Sequence, residues 1–417
     1  MVAVAVSLAA PPAVRAEAWH TVLDVEGTPS RSLMVDPFTP ETADVPDLIV
    51  SGDLAADAVT DRVFRLVQSL QPAQLEPLDA VPATVYSMAA SDAGDLYWAG
   101  SGTVPFGSAS AWMVRRSDAA HAGTQWQDLD AYQLAAGRTS RARGMAIDAA
   151  GRLFACGLGI DAAGYSHWLV RRSTDQGGTW TESDLFRSGG ASSLLTGLDV
   201  VEALGIAVGR GSSDGALFVV GTVGKRYYGS WTVTRSLDGG ESWEVVDTAA
   251  WVPKSLSSSS RARKVATDAG GRVFVLGDTG GRSEVDPAPW ALRMSASAGD
   301  PGSWVTVFGP WRQGPCPYPL DLAIDAHGNV WMVGVIHTAY GRKNVTYTTS
   351  WTVVRLQENG DGSWTPTTYF PLGEAPGTYR AAAQAVTTDA QGRVYVSGNY
   401  TADDLSPRRW IVQRFDP

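Results

Sequence analysis

The stretch "MAIDAAGRLFACG", residues 145–157, decides how this chain folds. It holds a short apolar run, an Asp-x-x-Gly turn signal, an alternating run and a closing glycine. Asp and Gly supply the turn, and the apolar runs on either side supply two strands. The pattern returns as "VATDAGGRVFVLG" at 265–277, "LAIDAHGNVWMVG" at 322–334 and "AVTTDAQGRVYVSG" at 385–398. The closing glycine recurs as Gly52, Gly100, Gly157, Gly221, Gly277, Gly334 and Gly398, which makes seven units.

A variable loop follows each glycine, and then a third strand-like run: "WMVRRS", "WLVRRS", "WTVTRS", "WALRMS", "WTVVRL" or "WIVQRF". "VFRLVQS" at 63–69 is a Phe version of the same run. The leading tryptophans recur about 60 residues apart, the period of a repeat architecture. A further turn and a second Trp follow in five units, at Trp126, Trp180, Trp243, Trp304 and Trp364. Four short strands per unit, seven times over, predict an all-β, seven-bladed β-propeller of four-stranded antiparallel blades. Each blade buries its faces on its neighbours, so 417 residues form one domain without one oversized core.

The last unit stops at "RRWIVQRFDP", after its third strand. Its fourth is expected from "EAWHTVLD" at 17–24, which aligns with "ESWEVVD" at 241–247 and gives Trp19 the role of Trp243. The N-terminal strand then completes the last blade and removes both open sheet edges. Upstream, an apolar run from Val2 to Ala10 precedes "AVRA", as in a cleaved leader. Residues 1–16 are accordingly read as a signal-peptide remnant and 17–417 as a single propeller, secreted or periplasmic.

Composition narrows the partners. A net charge of −10 and a pI near 5.0 argue against nucleic acid or an anionic membrane. Cys156 and Cys316 are the only cysteines and the five histidines show no ligand spacing, so no metal is expected. Phosphate-binding and dinucleotide fingerprints are missing, so no cofactor is expected either. The anticipated state is a monomer with a glycan or small-molecule ligand.

Residues 173–180, "STDQGGTW", match S-x-D-x-G-x-T-W, and "SLDGGESW" at 236–243 is a near-copy. The chain thereby resembles the Asp-box (BNR-repeat) β-propeller superfamily, sialidase-like in its repeat but without the early F/Y-R-I-P motif of sialidases. The resemblance implies the propeller and a leaning toward glycan chemistry, as a glycoside hydrolase or lyase. It does not fix an activity, because function sits in sites and not in folds. The box residues Ser173, Asp175, Gly177 and Trp180, with Ser236, Asp238, Gly240 and Trp243, are read as structural. A turn shared by several blades is a poor place for a unique catalyst.

Chemistry is expected on the opposite face, where the longer 4→1 and 2→3 loops diverge in sequence. Counting five residues back from the turn Asp on the innermost strands reaches Arg31, Arg143 and Arg263. The equivalent positions are Ser87, Leu320 and Gln384 in blades 2, 6 and 7, and Thr196 in blade 4 by local alignment. The arginines form either an anion cradle or copied salt bridges. On the same strands Asp199, Lys264 and Asp321 come from consecutive blades 4, 5 and 6. They are either an acid/base set tuned by Lys264 or a charge-balanced structural triad. His337 and Tyr340 in the blade-6 loop, His167 and Tyr165 in the blade-3 loop, and Arg380 ahead of the last blade complete the candidates. A non-catalytic carbohydrate- or protein-binding propeller is the competing reading.

Overall fold

In the computed structural model the described residues are 19–39, 45–54, 62–68, 73–80, 83–103, 109–188, 200–224, 229–249, 251, 260–280, 289–311, 318–340, 346–372, 380–401 and 407–417. They form a seven-bladed propeller of four-stranded antiparallel blades. The one short helix among them is a 3₁₀ turn, Gly211–Ser213. None is long and apolar enough to cross a membrane.

The closure is more economical than a separate outer strand. A single strand, Trp19–Val35, serves two blades. Its first half pairs with the last strand, from Trp19 opposite Phe415 to Glu26 opposite Arg409. Its second half pairs with Leu48–Leu54 as the inner strand of blade 1. Trp19 is buried, with its ring 6.0 Å from that of Tyr369 and 5.3 Å from that of Phe415.

Third-strand tryptophans Trp112, Trp168, Trp231, Trp290, Trp351 and Trp410 are fully buried between sheets. Several lie over the closing glycine of the following blade. A Cβ built on Gly277 would stand 2.6 Å from the Trp231 ring and 2.0 Å from the Arg261 carbonyl oxygen. No side chain fits there, which accounts for the recurring glycine.

Opposite that glycine, every inner strand breaks register. The shift falls between Val85 and Ser87, Ala142 and Gly144, Ala203 and Gly205, Ala262 and Lys264, Pro319 and Asp321, and Ala383 and Ala385, and between Pro29 and Leu33 in blade 1. The extra residues in blades 2–7 are therefore Tyr86, Arg143, Leu204, Arg263, Leu320 and Gln384. Such bulges re-aim side chains and sharpen the local twist. Here they set what surrounds the central axis.

Candidate functional site at the propeller axis

Seven inner strands surround the axis, and their bulges occupy the half of the channel nearer the 4→1 loops. A depression of about 240 Å³ opens there, lined by Tyr86, Ser87, Arg143, Lys264 and Asp321 among others. Arg143 Nε donates to Glu202 Oε1 at 2.7 Å, linking blades 3 and 4. The Arg143 guanidinium also lies 4.4 Å from the Tyr86 ring centroid, over blade 2. Burial works against the charge on Arg143, but Glu202 and Tyr86 outweigh it and raise its pKa. Lys264 Nζ stands 3.3 Å from Asp321 Oδ1, linking blades 5 and 6. Asp321 Oδ2 accepts the Val386 N–H of blade 7 at 3.0 Å. Ser87 Oγ does the same for Met145 N–H at 3.2 Å, one blade to the next. Two cations and two carboxylates from four consecutive blades thus form a neutral, partly exposed arc.

The remaining candidates fall elsewhere. Arg263 Nε donates to Asp278 Oδ2 of its own blade at 2.6 Å, away from that arc of pairs. Asp199 lies outside the described residues, and the inner strand of blade 4 begins at Val200. Arg31 and Arg380 lie on strands, but their side chains are outside the described residues. His337 and Tyr340 require a correction. The second strand of blade 6 runs through Val330–Tyr340 and pairs His337 with Thr349 and Tyr340 with Thr346, so both belong to an extended hairpin and not to a loop. Their side chains too are outside the described residues.

His167 sits between two carboxylates. Its Nδ1 is 2.7 Å from Asp184 Oδ2 and its Nε2 3.2 Å from Asp161 Oδ2, while Arg187 lies over the Tyr165 ring at 4.1 Å. That cluster is on the 2→3 turn and the third and outer strands of blade 3, away from the axial depression, and His167 itself lies on the third strand and not in the loop.

Sequence reasoning missed Glu202 and Tyr86. The five-residue count to the bulge works in each of these blades, but Ser91 and Gly209 take the turn-Asp position in blades 2 and 4. The matching residues are therefore Tyr86 and Leu204, where sequence alignment reached Ser87 and Thr196. Counting from the hairpin turn, and not from its aspartate, would have found Tyr86; in blade 4 it reaches Leu204, two residues past Glu202, which no count signals.

The S-x-D-x-G-x-T-W turn is saturated by its own atoms. Ser173 Oγ donates to Asp175 Oδ1 at 2.8 Å and accepts Gly177 N–H at 2.8 Å. Thr179 donates its N–H to Oδ1 at 2.8 Å and its hydroxyl to Oδ2 at 2.7 Å. These donors pull the Asp175 carboxyl down to about 2. Trp180 Nε1 reaches the Leu129 carbonyl of the preceding blade at 3.1 Å. The copy repeats this with Ser236, Asp238, Gly240 and Ser242. Trp243 Nε1 donates instead to Gly240 O within its own turn, at 3.2 Å.

Among the described residues no cluster of three His, Cys, Asp or Glu is placed to hold a metal ion. No known family profile matches the chain, and no curated protein does. Solved structures do resemble it. A polysaccharide lyase, PL25 ulvan lyase, is 11% identical over 93% of this chain and 94% of that one, with a TM-score of 0.56. The GH74 xyloglucanase of Xanthomonas campestris is 17% identical over 94% of this chain and 55% of that one, with a TM-score of 0.51. An α-L-arabinanase of Penicillium chrysogenum is 16% identical over 85% and 97%, with a TM-score of 0.48. At these identities the likeness of the first two is one of fold: the chain shares the β-propeller architecture of glycan-active enzymes.

Proposed function

We propose that this protein is a secreted, monomeric Asp-box propeller that acts on a glycan, engaging one hydroxyl-rich sugar unit at the axial depression. The observation that carries this is the meeting there of Arg143, Lys264 and Asp321, with Glu202 bonded to Arg143 from outside the lining. Donors and acceptors interleave at hydrogen-bonding range, and an aromatic ring, Tyr86, stands beside them. Vicinal sugar hydroxyls donate and accept at once, so such an arc can bind them without net charge on either side. A depression of about 240 Å³ suits one unit, with the rest of a polysaccharide lying over the 4→1 and 2→3 loops. The propeller neighbours support the substrate class, since one is an ulvan lyase bound to -[GlcA(1-4)Rha3S]- and another a xyloglucanase.

Within this reading Arg143 and Lys264 orient the sugar, Asp321 supplies the carboxylate facing it, and Glu202 holds Arg143 in place. Arg263 is held by Asp278 and contributes to the blade and not to the ligand. A non-catalytic, lectin-like role has its own support: Asp321 spends one oxygen on Lys264 and the other on Val386 N–H, which is how a structural carboxylate is used. Reducing-end release over a panel of polysaccharides, run beside a glycan-binding array, separates the two. Release that is lost in Glu202→Gln and Asp321→Asn while the fold survives is the expected result. Binding without release assigns the lectin-like role, and neither binding nor release overturns the proposal.

A further inference from the structure

The opposite face, formed by the short 1→2 and 3→4 turns, carries a cleft of about 900 Å³ between blades 5, 6 and 7. Its walls include Arg272, His327, Asn329, Arg355, Gln357 and Gln391. Arg355 occupies a repeated position on the third strand, opposite the residue three before the closing glycine, where six blades have an arginine. The other five are neutralised. Arg65 pairs with Asp36, Arg116 with Asp95, Arg172 with Glu241, Arg235 with Glu244 and Asp300, and Arg414 with Asp416. Arg355 has no carboxylate partner among the described residues: it donates to two amide oxygens, Asn329 Oδ1 at 3.3 Å and Gln357 Oε1 at 3.4 Å, and lies 5.7 Å from the Trp331 ring centroid, while its buried Nε donates to nothing among the described residues.

Two features of the sequence produce this vacancy. In blades 1 and 2 the arginine takes an acid from its own 1→2 hairpin, Asp36 or Asp95. In blade 6 the turn acid is Asp325, but Asn329 Nδ2 and Trp331 Nε1 both donate to its Oδ2 at 2.8 Å, and the turn amides occupy Oδ1. Elsewhere the arginine also donates to the 3→4 turn of the next blade: Arg65 to Ala122 O at 2.8 Å, Arg172 to Gly239 O at 3.0 Å and Arg235 to Ala298 O at 2.9 Å. The next blade here is the seventh, whose third strand Arg409–Phe415 and outer strand from Trp19 are not consecutive in the chain. Among the described residues no 3→4 turn joins them over Arg355, and Pro417 lines the cleft there instead.

We propose that this cleft is a second ligand site, taking a carboxylate- or sulfate-bearing saccharide whose acidic group docks on Arg355. An unpaired guanidinium offers a planar fork that matches an oxyanion, and the amides of Asn329, Gln357 and Gln391 suit the neighbouring hydroxyls. Arg272 is already engaged by Asp268 and Glu358, so the free positive charge is that of Arg355, with His327 at the rim. The cleft faces away from the axial depression, so the two sites are independent.

The test titrates the full chain with sodium D-glucuronate, D-glucose and sodium sulfate by calorimetry, comparing Arg355→Gln and Lys264→Met. Glucuronate should saturate a single class of sites, with glucose at least tenfold weaker; competition by sulfate identifies the oxyanion as the shared determinant. Arg355→Gln should weaken glucuronate at least tenfold, and Lys264→Met should not. Because Arg355 has no carboxylate to lose, Arg355→Met should leave the Tm at or above wild type, whereas Arg235→Met should lower it. Absence of saturable glucuronate binding overturns the proposal. So does binding that survives Arg355→Gln, or binding that disappears with Lys264→Met, which would move it to the axis.

Discussion

Replacing Lys264 by Met removes one end of the ion pair that joins blades 5 and 6 at the axis. With Nζ 3.3 Å from Asp321 Oδ1, two unit charges interact by about 5 kcal/mol at an effective dielectric of about 20. The pair is not sealed: the Lys264 side chain keeps 27% of its exposure and Asp321 14%, so water screens part of that attraction. The cost should therefore fall between an exposed and a buried pair, roughly 1–3 kcal/mol. Asp321→Leu should cost more, by about 1–3 kcal/mol, because it also orphans the Val386 N–H. Urea denaturation followed by the fluorescence of the sixteen tryptophans measures both, and the Lys264→Met/Asp321→Leu double variant closes the cycle. A favourable coupling energy above about 0.5 kcal/mol is expected. Zero coupling, or equal costs for the two single variants, would show that Lys264 and Asp321 do not pair across the blades.

Trp19→Ala should cost about 3–5 kcal/mol, since the ring is buried against Tyr369 and Phe415 in the strand that closes the ring. Deleting residues 1–24 should lower the Tm further by exposing an edge in blade 7; an unchanged Tm contradicts the closure. The Asp175 carboxyl lies below its ordinary value in the folded chain, so its contribution is complete above the unfolded pKa and fades as pH falls toward about 2. The Tm gap between wild type and Asp175→Ala should accordingly be constant from neutrality down to about pH 5 and narrow below about pH 4. A gap that widens in acid would show that the carboxylate is not held by those turn donors.

The propeller was legible because its constraints are local and repeated. A buried Trp, the glycine beneath it and an Asp-x-x-Gly turn recur in order, and each has one steric reason. The axial cluster was legible in part. Lys264 and Asp321 fall one position past the bulge in adjacent blades, so alignment of the inner strands placed them together. Glu202 was not legible, because its partner Arg143 is a blade away and because Gly209 stands where blade 4 would show its turn Asp. His337 and Tyr340 read as loop because "HTAYGRKNVTY" breaks its apolar alternation with polar residues. Pairing with Thr346–Glu358 nonetheless carries the strand through them. Periodicity reports burial, and that hairpin extends beyond the buried part of the blade.

Whether a sugar sits at the axis is decided by the structure of the protein with an oligosaccharide from whichever polysaccharide it binds or cleaves. One sugar ring is expected between Tyr86, Arg143, Lys264 and Asp321, with the remaining units over the 4→1 and 2→3 loops. An oligosaccharide found only on the short-turn face or on the outer strands of the blades, with the axial depression empty of it, would rule out the axial site.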